Sequence, residues 1–149
     1  MKELKVAAID NGTVIDHIPA AKAFEVANIL KLSERDDTTM IATNLPSKNL
    51  GKKGLIKISD RELTKKETNK IALVAPHATI NIIKKFEVAE KRDVIIPDEI
   101  IGIVRCPNPN CVSNKEDMLS KFLPESLDPL RIRCHYCERV IDSDEIKVV

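Results

Sequence analysis

Short apolar runs separated by polar turns dominate the first two thirds of the chain, and most show the two-residue alternation of strands. They predict strands over residues 5–9, 13–18, 38–44, 55–58, 79–83, 86–90 and 94–96. The dipeptide Asn11–Gly12 suits the positive-φ positions of a tight turn, so we expect a hairpin between the first two strands. A loop rich in Lys, Pro and Gly is expected over residues 45–54.

Two helices are predicted between these strands. The first follows Pro19, where an apolar stripe with helical spacing comprises Ala20, Ala23, Phe24, Ala27 and Leu30. The second begins at a capping box formed by Thr64 and Glu67 and ends before Pro76. Strands outnumber helices and several neighbouring strands look hairpin-linked. The pattern therefore predicts an α+β domain with a largely antiparallel sheet.

Length and composition limit the class of protein. The chain has 149 residues, which is room for one average domain or two small ones. Apolar residues make up 43%, and there are only 4 Gly and 8 Pro, so collagen-like and disordered classes are excluded. No apolar run approaches the roughly 20 residues of a membrane span, and none near the start suits a signal peptide. We therefore expect a cytoplasmic protein without membrane contact.

Charge and cysteine content divide the chain at Pro97–Asp98. The net charge is +1, but residues 1–97 carry 17 Lys and Arg against 13 Asp and Glu, whereas residues 98–149 carry 7 against 10. All 4 cysteines lie after residue 105. Two domains are therefore expected, over residues 1–97 and 98–149.

The cysteines follow the pattern C-x4-C, 22 residues, C-x2-C, and they are Cys106, Cys111, Cys134 and Cys137. Two close pairs let four thiolates converge on one ion, and sulfur ligands favour zinc or iron. Disulfides are disfavoured in the cytoplasm, while rubredoxin-type iron stays open as an alternative. Four cysteines fill a tetrahedron, so we expect one structural Zn²⁺, with His135 exposed and not a ligand.

The second region needs such a metal because about 50 residues are too few for a self-sufficient core. Runs at residues 99–105, 130–133 and 146–149 predict a small all-β domain around the metal. Asn108, Asn110 and Asn114 are expected to take the left-handed backbone positions that glycine often fills in metal-binding loops.

Catalytic motifs are missing from the sequence. It contains no Walker-type loop and no G-x-G-x-x-G, and every cysteine belongs to the metal pattern. Asp16 and His17 are adjacent on a predicted strand, so their side chains are expected on opposite faces, which disfavours an acid–base pair. An enzyme is therefore not predicted.

The lysines leave three alternatives open: a solvated face, a nucleic-acid surface or a site for a small anion. Lysines accumulate around the loop at residues 48–57 and the strands at residues 84–92. Aromatic residues make up only 3% of the chain, which is few for a surface that binds nucleic acid by base stacking.

Several sequence blocks occur in an order that is specific to one family. They are GTVIDHIPA at residues 12–20, NLPS at 44–47, LIKI at 55–58, APHAT at 75–79, and the cysteine pairs followed by Glu138. Together they resemble the regulatory chain of aspartate carbamoyltransferase. The resemblance implies a non-catalytic subunit in pyrimidine biosynthesis, with a ferredoxin-like effector domain that pairs with a second regulatory chain. Its zinc domain would dock on the catalytic chain, and no nucleic-acid partner is implied.

The family's effectors are CTP, ATP and UTP, with UTP assisting CTP. The resemblance places nucleotide-binding groups at Val6, Ala8, Ile9, Val14, Asp16, His17, Lys57, Asn81, Phe86, Val88 and Lys91. Among these, Asp16 would accept from the ribose hydroxyls, while His17 and Lys91 would bind the triphosphate. Ser47 and Lys53 would bind a second nucleotide with a bridging metal ion, for which we expect Mg²⁺. The positions that would face the catalytic chain are Asn108, Asn110 and Glu138.

One departure from the family concerns Phe86, which stands where a tyrosine is expected and would remove a hydroxyl near the base. The alternative function is a zinc-ribbon protein that binds nucleic acid through its lysines.

Overall fold

A computed structural model describes residues 8–149. The first sheet contains five antiparallel strands in the order β2-β3-β1-β4-β5. Its strands are β1 (Gly12–Pro19), β2 (Thr39–Ser47), β3 (Gly51–Ser59), β4 (Thr79–Lys84) and β5 (Glu87–Asp93). Helix α1 (Ala23–Ile29) connects β1 to β2, and α2 (Lys65–Val74) connects β3 to β4. This β-α-β-β-α-β succession with β5 added confirms the ferredoxin-like α+β fold.

The helices cover one face of this sheet. Ile15 on β1 lies directly opposite Ile56 on β3 and Ile80 on β4, and all three side chains are buried. They form one core with Val26 of α1 and Ile71 of α2. Successive strand residues point to opposite faces, so the neighbours of these isoleucines lie on the other face. No helix of residues 8–149 covers that face, and we call it the open face.

Helix α1 begins later than predicted, but three members of its predicted apolar stripe are buried, namely Ala23, Ala27 and Leu30. A 3-10 turn over Ala20–Lys22 precedes it, and Phe24 of the predicted stripe is 63% exposed, while Val26 is fully buried. Helix α1 packs closely on β3 at Ala23, because a Cβ at Gly54 would lie 2.7 Å from the Cβ of Ala23. Only small residues at these two positions allow this approach of α1 to β3. Phe24 lies about 100° around the helix from Ala23, outside the buried side, and is therefore exposed.

Helix α2 begins as predicted. The Thr64 hydroxyl accepts from the backbone N–H of Glu67 at 3.1 Å, and the Glu67 carboxylate accepts from the N–H of Thr64 at 3.0 Å. This reciprocal pair satisfies two donors at the helix start and confirms the capping box.

Some predictions in the first domain are wrong. Gly12 is the first residue of β1 and pairs with Ser59 and Ile83, so no hairpin turn lies at Asn11–Gly12. Residues 8 and 9 are not in a strand, and residues 5–7 of that predicted strand lie outside the described residues. Strands β2 and β3 continue through most of the predicted loop over residues 45–54, because paired backbone groups tolerate its Lys and Gly at a sheet edge. Residues 94–96 form no strand.

The second region is mostly β. A four-stranded sheet has the order β10-β9-β8-β6, with β6 (Ile100–Ile101), β8 (Lys121–Leu127), β9 (Leu130–Cys134) and β10 (Val140–Asp142). Strand β7 (Val104–Arg105) pairs with β11 (Lys147–Val148), and the short α3 is Val112–Lys115. The predicted strand over residues 99–105 is divided at Gly102, whose φ is +68°. No helix among the described residues has the length and apolar content to cross a membrane.

The cores of the two regions meet at α2. Phe122, Ile132 and Ile141 are fully buried beside the cysteines, and Leu73 of α2 belongs to the same cluster. Val148 packs against both cores. The second region is therefore in apolar contact with a helix of the first.

Substitution of Gly12 by alanine tests the close pairing of β1 and β3. The φ of Gly12 is +140°, and a Cβ there would lie 2.1 Å from the carbonyl oxygen of Ile58. We expect Gly12→Ala to lower the free energy of unfolding by about 4 kcal/mol or more, measured by urea denaturation. Gly51→Ala is the control, because Gly51 has φ +74° but no heavy atom of the described residues lies within 4 Å of the Cβ that alanine would add. It should cost only about 1 kcal/mol, and equal losses would contradict the explanation.

Candidate functional site

The four cysteines predicted as ligands come together in the second region. Their Sγ atoms all lie within 4.8 Å of one another, and no disulfide joins them. The Sγ distances from Cys106 to Cys137 and from Cys111 to Cys134 are both 3.7 Å. Four sulfurs at about 2.3 Å from one zinc ion would be about 3.8 Å apart, so the cluster fits a tetrahedral thiolate site.

Two loops bring the sulfurs together. The first, over residues 106–111, runs from β7 to α3, and the second begins where β9 ends at Cys134. In the second loop, the backbone N–H of Cys134 donates to Arg139 at 2.9 Å, and that of Glu138 donates to Cys134 at 2.9 Å. Glu138 has φ +63°, so it takes the left-handed position that closes this turn.

The left-handed role expected for three asparagines is wrong. Among the described residues, Asn108, Asn110 and Asn114 do not have positive φ values. Two of them act through side-chain hydrogen bonds instead. The carboxamide oxygen of Asn108 accepts from the backbone N–H of Asn110 at 3.0 Å, and the amide of Asn114 donates to two carbonyls of the first loop.

Burial makes the cluster unfavourable for negative charge unless a cation is present. It raises the pKa of Cys106 to about 12 and also raises the pKa of Cys134. For Cys137, burial also acts to raise the pKa, but the backbone N–H of Arg139 and the side chain of Asn108 lower it to about 7. A divalent cation stabilises all four as thiolates, and four protein ligands leave no open position for catalysis. His135 is exposed and packs edge-on against the Tyr136 ring at 5.0 Å, as expected for a residue that is not a ligand.

The open face of the first sheet carries a row of predicted nucleotide-binding residues. Val14 on β1 lies directly opposite Lys57 on β3 and Asn81 on β4, and Asn81 lies opposite Lys91 on β5. Directly opposed residues share a face, so these four side chains form one line across four strands. Ile9 is buried against Val14, which brings a fifth predicted residue to this face.

A bulge in β1 places Asp16 and His17 beside this row. Between the pairs Ile15–Ile56 and Ile18–Gly54, β1 has two residues whereas β3 has only one, so the extra residue of β1 forms a bulge. His17 has φ +58°, and its Nδ1 lies 3.1 Å from the Thr79 hydroxyl, which is opposite Asp16. The expectation that Asp16 and His17 point to opposite faces is therefore wrong, because the bulge interrupts the strand alternation.

Asp16 is held in its charged form by its neighbours. Its Oδ1 is 2.8 Å from the Lys53 ammonium and accepts from the backbone N–H of His17 at 2.6 Å. Partial burial acts to raise the pKa of Asp16, but these two hydrogen bonds and the charge of Lys53 lower it below its usual value. Burial lowers the pKa of Lys57, against the opposing effect of the Asp16 charge. The site therefore combines a carboxylate with two partly buried lysines.

The remaining predicted positions lie around this centre. Phe86 is 68% exposed in the left-handed turn between β4 and β5, and its backbone N–H donates to Asp10 at 2.9 Å. Val88 is exposed and lies opposite Ile83, on the open face. Ser47 ends β2, where its hydroxyl accepts from the backbone N–H of Leu50 at 3.2 Å. Ala8 is exposed, and Val6 lies outside the described residues.

Sequence reasoning missed Thr79 and the side-chain role of Asn114. Thr79 reaches His17 only because β4 pairs with β1, across 62 positions of sequence. No local signal could have identified it. Asn114 follows the second cysteine by three positions, and this closeness was the available signal.

Comparison with known proteins identifies the class. A family model described as "Aspartate carbamoyltransferase regulatory chain, allosteric domain" matches residues 4–95, and one described as "metal binding domain" of the same chain matches residues 98–147. The fold and the cysteine cluster thus define a regulatory chain with an allosteric domain and a metal-binding domain.

Relatives cover nearly the whole chain. The aspartate carbamoyltransferase regulatory chain of Thermococcus gammatolerans is 54% identical over 147 residues, which is 98% of this chain and 97% of that protein. That of Thermococcus kodakarensis is 54% identical over 97% of this chain and 96% of its own length. That of Parabacteroides distasonis is 48% identical over 97% and 94%, respectively. The chain belongs to the aspartate carbamoyltransferase regulatory chain family, and it is a non-catalytic chain with a structural metal site.

Acid unfolding tests the Asp16–Lys53 pair. Because the folded-state pKa of Asp16 is lowered, its charged form stabilises the fold above about pH 4, and this stability is lost as the pH falls through the folded-state pKa. We expect Asp16→Asn to be less stable than wild type by urea denaturation at about pH 7, with the difference shrinking at about pH 3. Asp36→Asn, which changes an exposed carboxylate, is the control. A pH-independent difference for Asp16→Asn would contradict the pairing.

Proposed function

We propose that the chain is the allosteric regulatory subunit of aspartate carbamoyltransferase in pyrimidine biosynthesis. It binds CTP or ATP on the open face, with UTP assisting CTP, and it works in the cytoplasm. The single observation that carries the proposal is the line of Lys57, Val14, Asn81 and Lys91 on the open face of the sheet, next to Asp16 and His17. The family and the relatives' names support the same assignment.

The chemistry of these groups suits a nucleoside triphosphate. A charged Asp16 accepts hydrogen bonds from ribose hydroxyls, and the ammonium groups of Lys57 and Lys91 attract anionic or carbonyl oxygens of the ligand. His17 donates to a phosphate through its Nε2 while its Nδ1 is held by Thr79. Backbone groups at residues 8 and 9 provide the polar edge that contacts the base.

A second nucleotide binds beside the first. Lys53 bridges the two positions, because its ammonium contacts Asp16 while Gly51, two residues before it on β3, lies opposite Ser47 in the β2–β3 hairpin. Two adjacent triphosphates repel each other, so a bridging Mg²⁺ held by their phosphates reduces the charge.

The second domain holds Zn²⁺ through the four cysteines and docks on the catalytic chain. We place the boundary at Pro97–Asp98, between the two sheets. Zinc stabilises the domain as a structural ion, so metal binding contributes to its folding. Asn110 and Glu138 are exposed at the two metal-binding loops and are available for contact, whereas Asn108 is half-buried.

Helix α2 couples nucleotide binding in the first domain to the contact of the metal domain with the catalytic chain. Leu73 contributes to the core of the metal domain, so a rearrangement of the first domain is transmitted by a rigid apolar contact. The effector must bind two states of the assembly with different affinity, and such couplings are typically about 1–3 kcal/mol and reciprocal. A second regulatory chain pairs with the first domain.

Calorimetric titration tests the nucleotide site. Zinc-loaded chain should bind CTP and ATP saturably and in competition, and Lys57→Ala should weaken binding about 10- to 100-fold, because a contact to a charged phosphate or base is lost. Lys66→Ala, an exposed lysine on α2, is the matched control and should bind normally. Salt-sensitive binding to DNA or RNA without nucleotide binding would instead support a zinc-ribbon nucleic-acid protein.

Removal of one metal ligand tests whether the metal domain mediates assembly while the first domain binds the nucleotide. Cys111→Ser should lose zinc and assembly with the catalytic chain, because the metal domain loses its structural ion. CTP binding by the first domain should change little. Zinc content, sedimentation with purified catalytic chain and calorimetry provide the readouts, and assembly retained by a metal-free variant would refute the docking role.

A further inference from the structure

Asn114 lies in α3, three positions after the cysteine that ends the first metal-binding loop. Its amide nitrogen donates one hydrogen bond to the carbonyl of Cys106 and another to the carbonyl of Asn108, both at 2.8 Å. The two N–H groups of the amide are thereby used on two points of the same loop. The residue is half-buried beside the cluster and is not a metal ligand.

The first loop needs this support more than the second. It has four residues between its cysteines where the second has two, so more backbone freedom is lost when the sulfurs are brought together. Two hydrogen bonds within the loop stabilise it. The backbone N–H of Cys111 donates to the carbonyl of Asn108 at 3.0 Å, and the backbone N–H of Asn110 donates to the side chain of Asn108 at 3.0 Å. Neither bond reaches Cys106.

Asn114 connects the Cys106 end of the loop to the Cys111 end through its side-chain amide and its backbone N–H. Its own backbone N–H donates to the carbonyl of Cys111 at 2.9 Å, so residue 114 touches both ligand residues of this pair. Fixing both ends from one residue restricts the distance and direction of the two sulfurs. Groups outside the ligand sphere often orient ligands in this way.

We propose that Asn114 is a positioning residue for the bound metal: its two amide hydrogen bonds hold the first loop in the metal-binding conformation and raise the affinity for the ion. The same bonds keep Asn110 in place for contact with the catalytic chain, and this second consequence rests on the proposed function. Metal affinity itself is a property of the isolated chain and does not depend on that function.

Competition for Co²⁺ tests the proposal. The full chain is loaded with Co²⁺, whose visible absorption reports tetrahedral thiolate coordination, and is titrated with a chelator. Asn114→Ala removes both hydrogen bonds and should weaken metal binding about 10- to 100-fold. Asn114→Asp keeps the shape but places oxygen against two carbonyls, so we expect at least as large a loss. Asn114→Ser keeps one donor and should be intermediate.

The Asp variant separates hydrogen bonding from packing and from charge. If Asn114 only filled space, Asp would bind metal normally, and its added negative charge would by itself favour a cation. Normal affinity of Asn114→Asp, or of Asn114→Ser, would therefore overturn the proposal. Asn110→Ala is the control in the same loop and should leave metal affinity unchanged. Weaker docking of Asn110→Ala with normal metal binding would separate the docking role from the positioning role.

Discussion

Convergence of four sulfurs is the constraint on which the second domain depends. The core of this region is small and includes Phe122, Ile132 and Ile141, and three of the four cysteines are buried within it. Burial opposes the thiolate form, so the cluster requires a cation to be stable with all four ligands deprotonated. One ion, rather than a large core, then holds the two metal-binding loops and the short strands beside them.

The first domain is organised by a different constraint, the unequal covering of its sheet. Isoleucines on three central strands bury one face under two helices, and this leaves the opposite face for polar side chains. On that face, Lys57 and Asn81 flank Val14 because all three occupy one row of the pairing. The groups of the proposed nucleotide site are thus carried by paired strands, which hold them more rigidly than loops would.

The hydrophobic cores of the two domains are in contact with each other. Leu73 lies on a helix whose other buried residues belong to the core of the first sheet, yet its own side chain packs in the core around the cysteines. Val148, near the end of the chain, packs against both cores. A change in the first domain therefore acts on a packed contact, and packed contacts rearrange between discrete states more readily than they deform gradually.

Local features of the sequence determined much of this protein: the cysteine spacing identified the metal ligands, the alternation of apolar residues identified most strands, and Thr64 with Glu67 identified the start of α2. These signals succeed because each depends on residues close together in the chain. The sequence blocks also identified the family, and with it the candidate nucleotide residues. What they could not provide was the arrangement of those residues around one another.

Tertiary structure alone decided the rest. Lys53 meets Asp16, and Thr79 meets His17, only after β3 and β4 pair on either side of β1. The bulge that turns His17 toward Asp16 arises from the register of that pairing, and the close approach of α1 to β3 depends on the contact of Ala23 with Gly54. Such features depend on contacts between distant segments, whose free energies no short stretch of sequence contains.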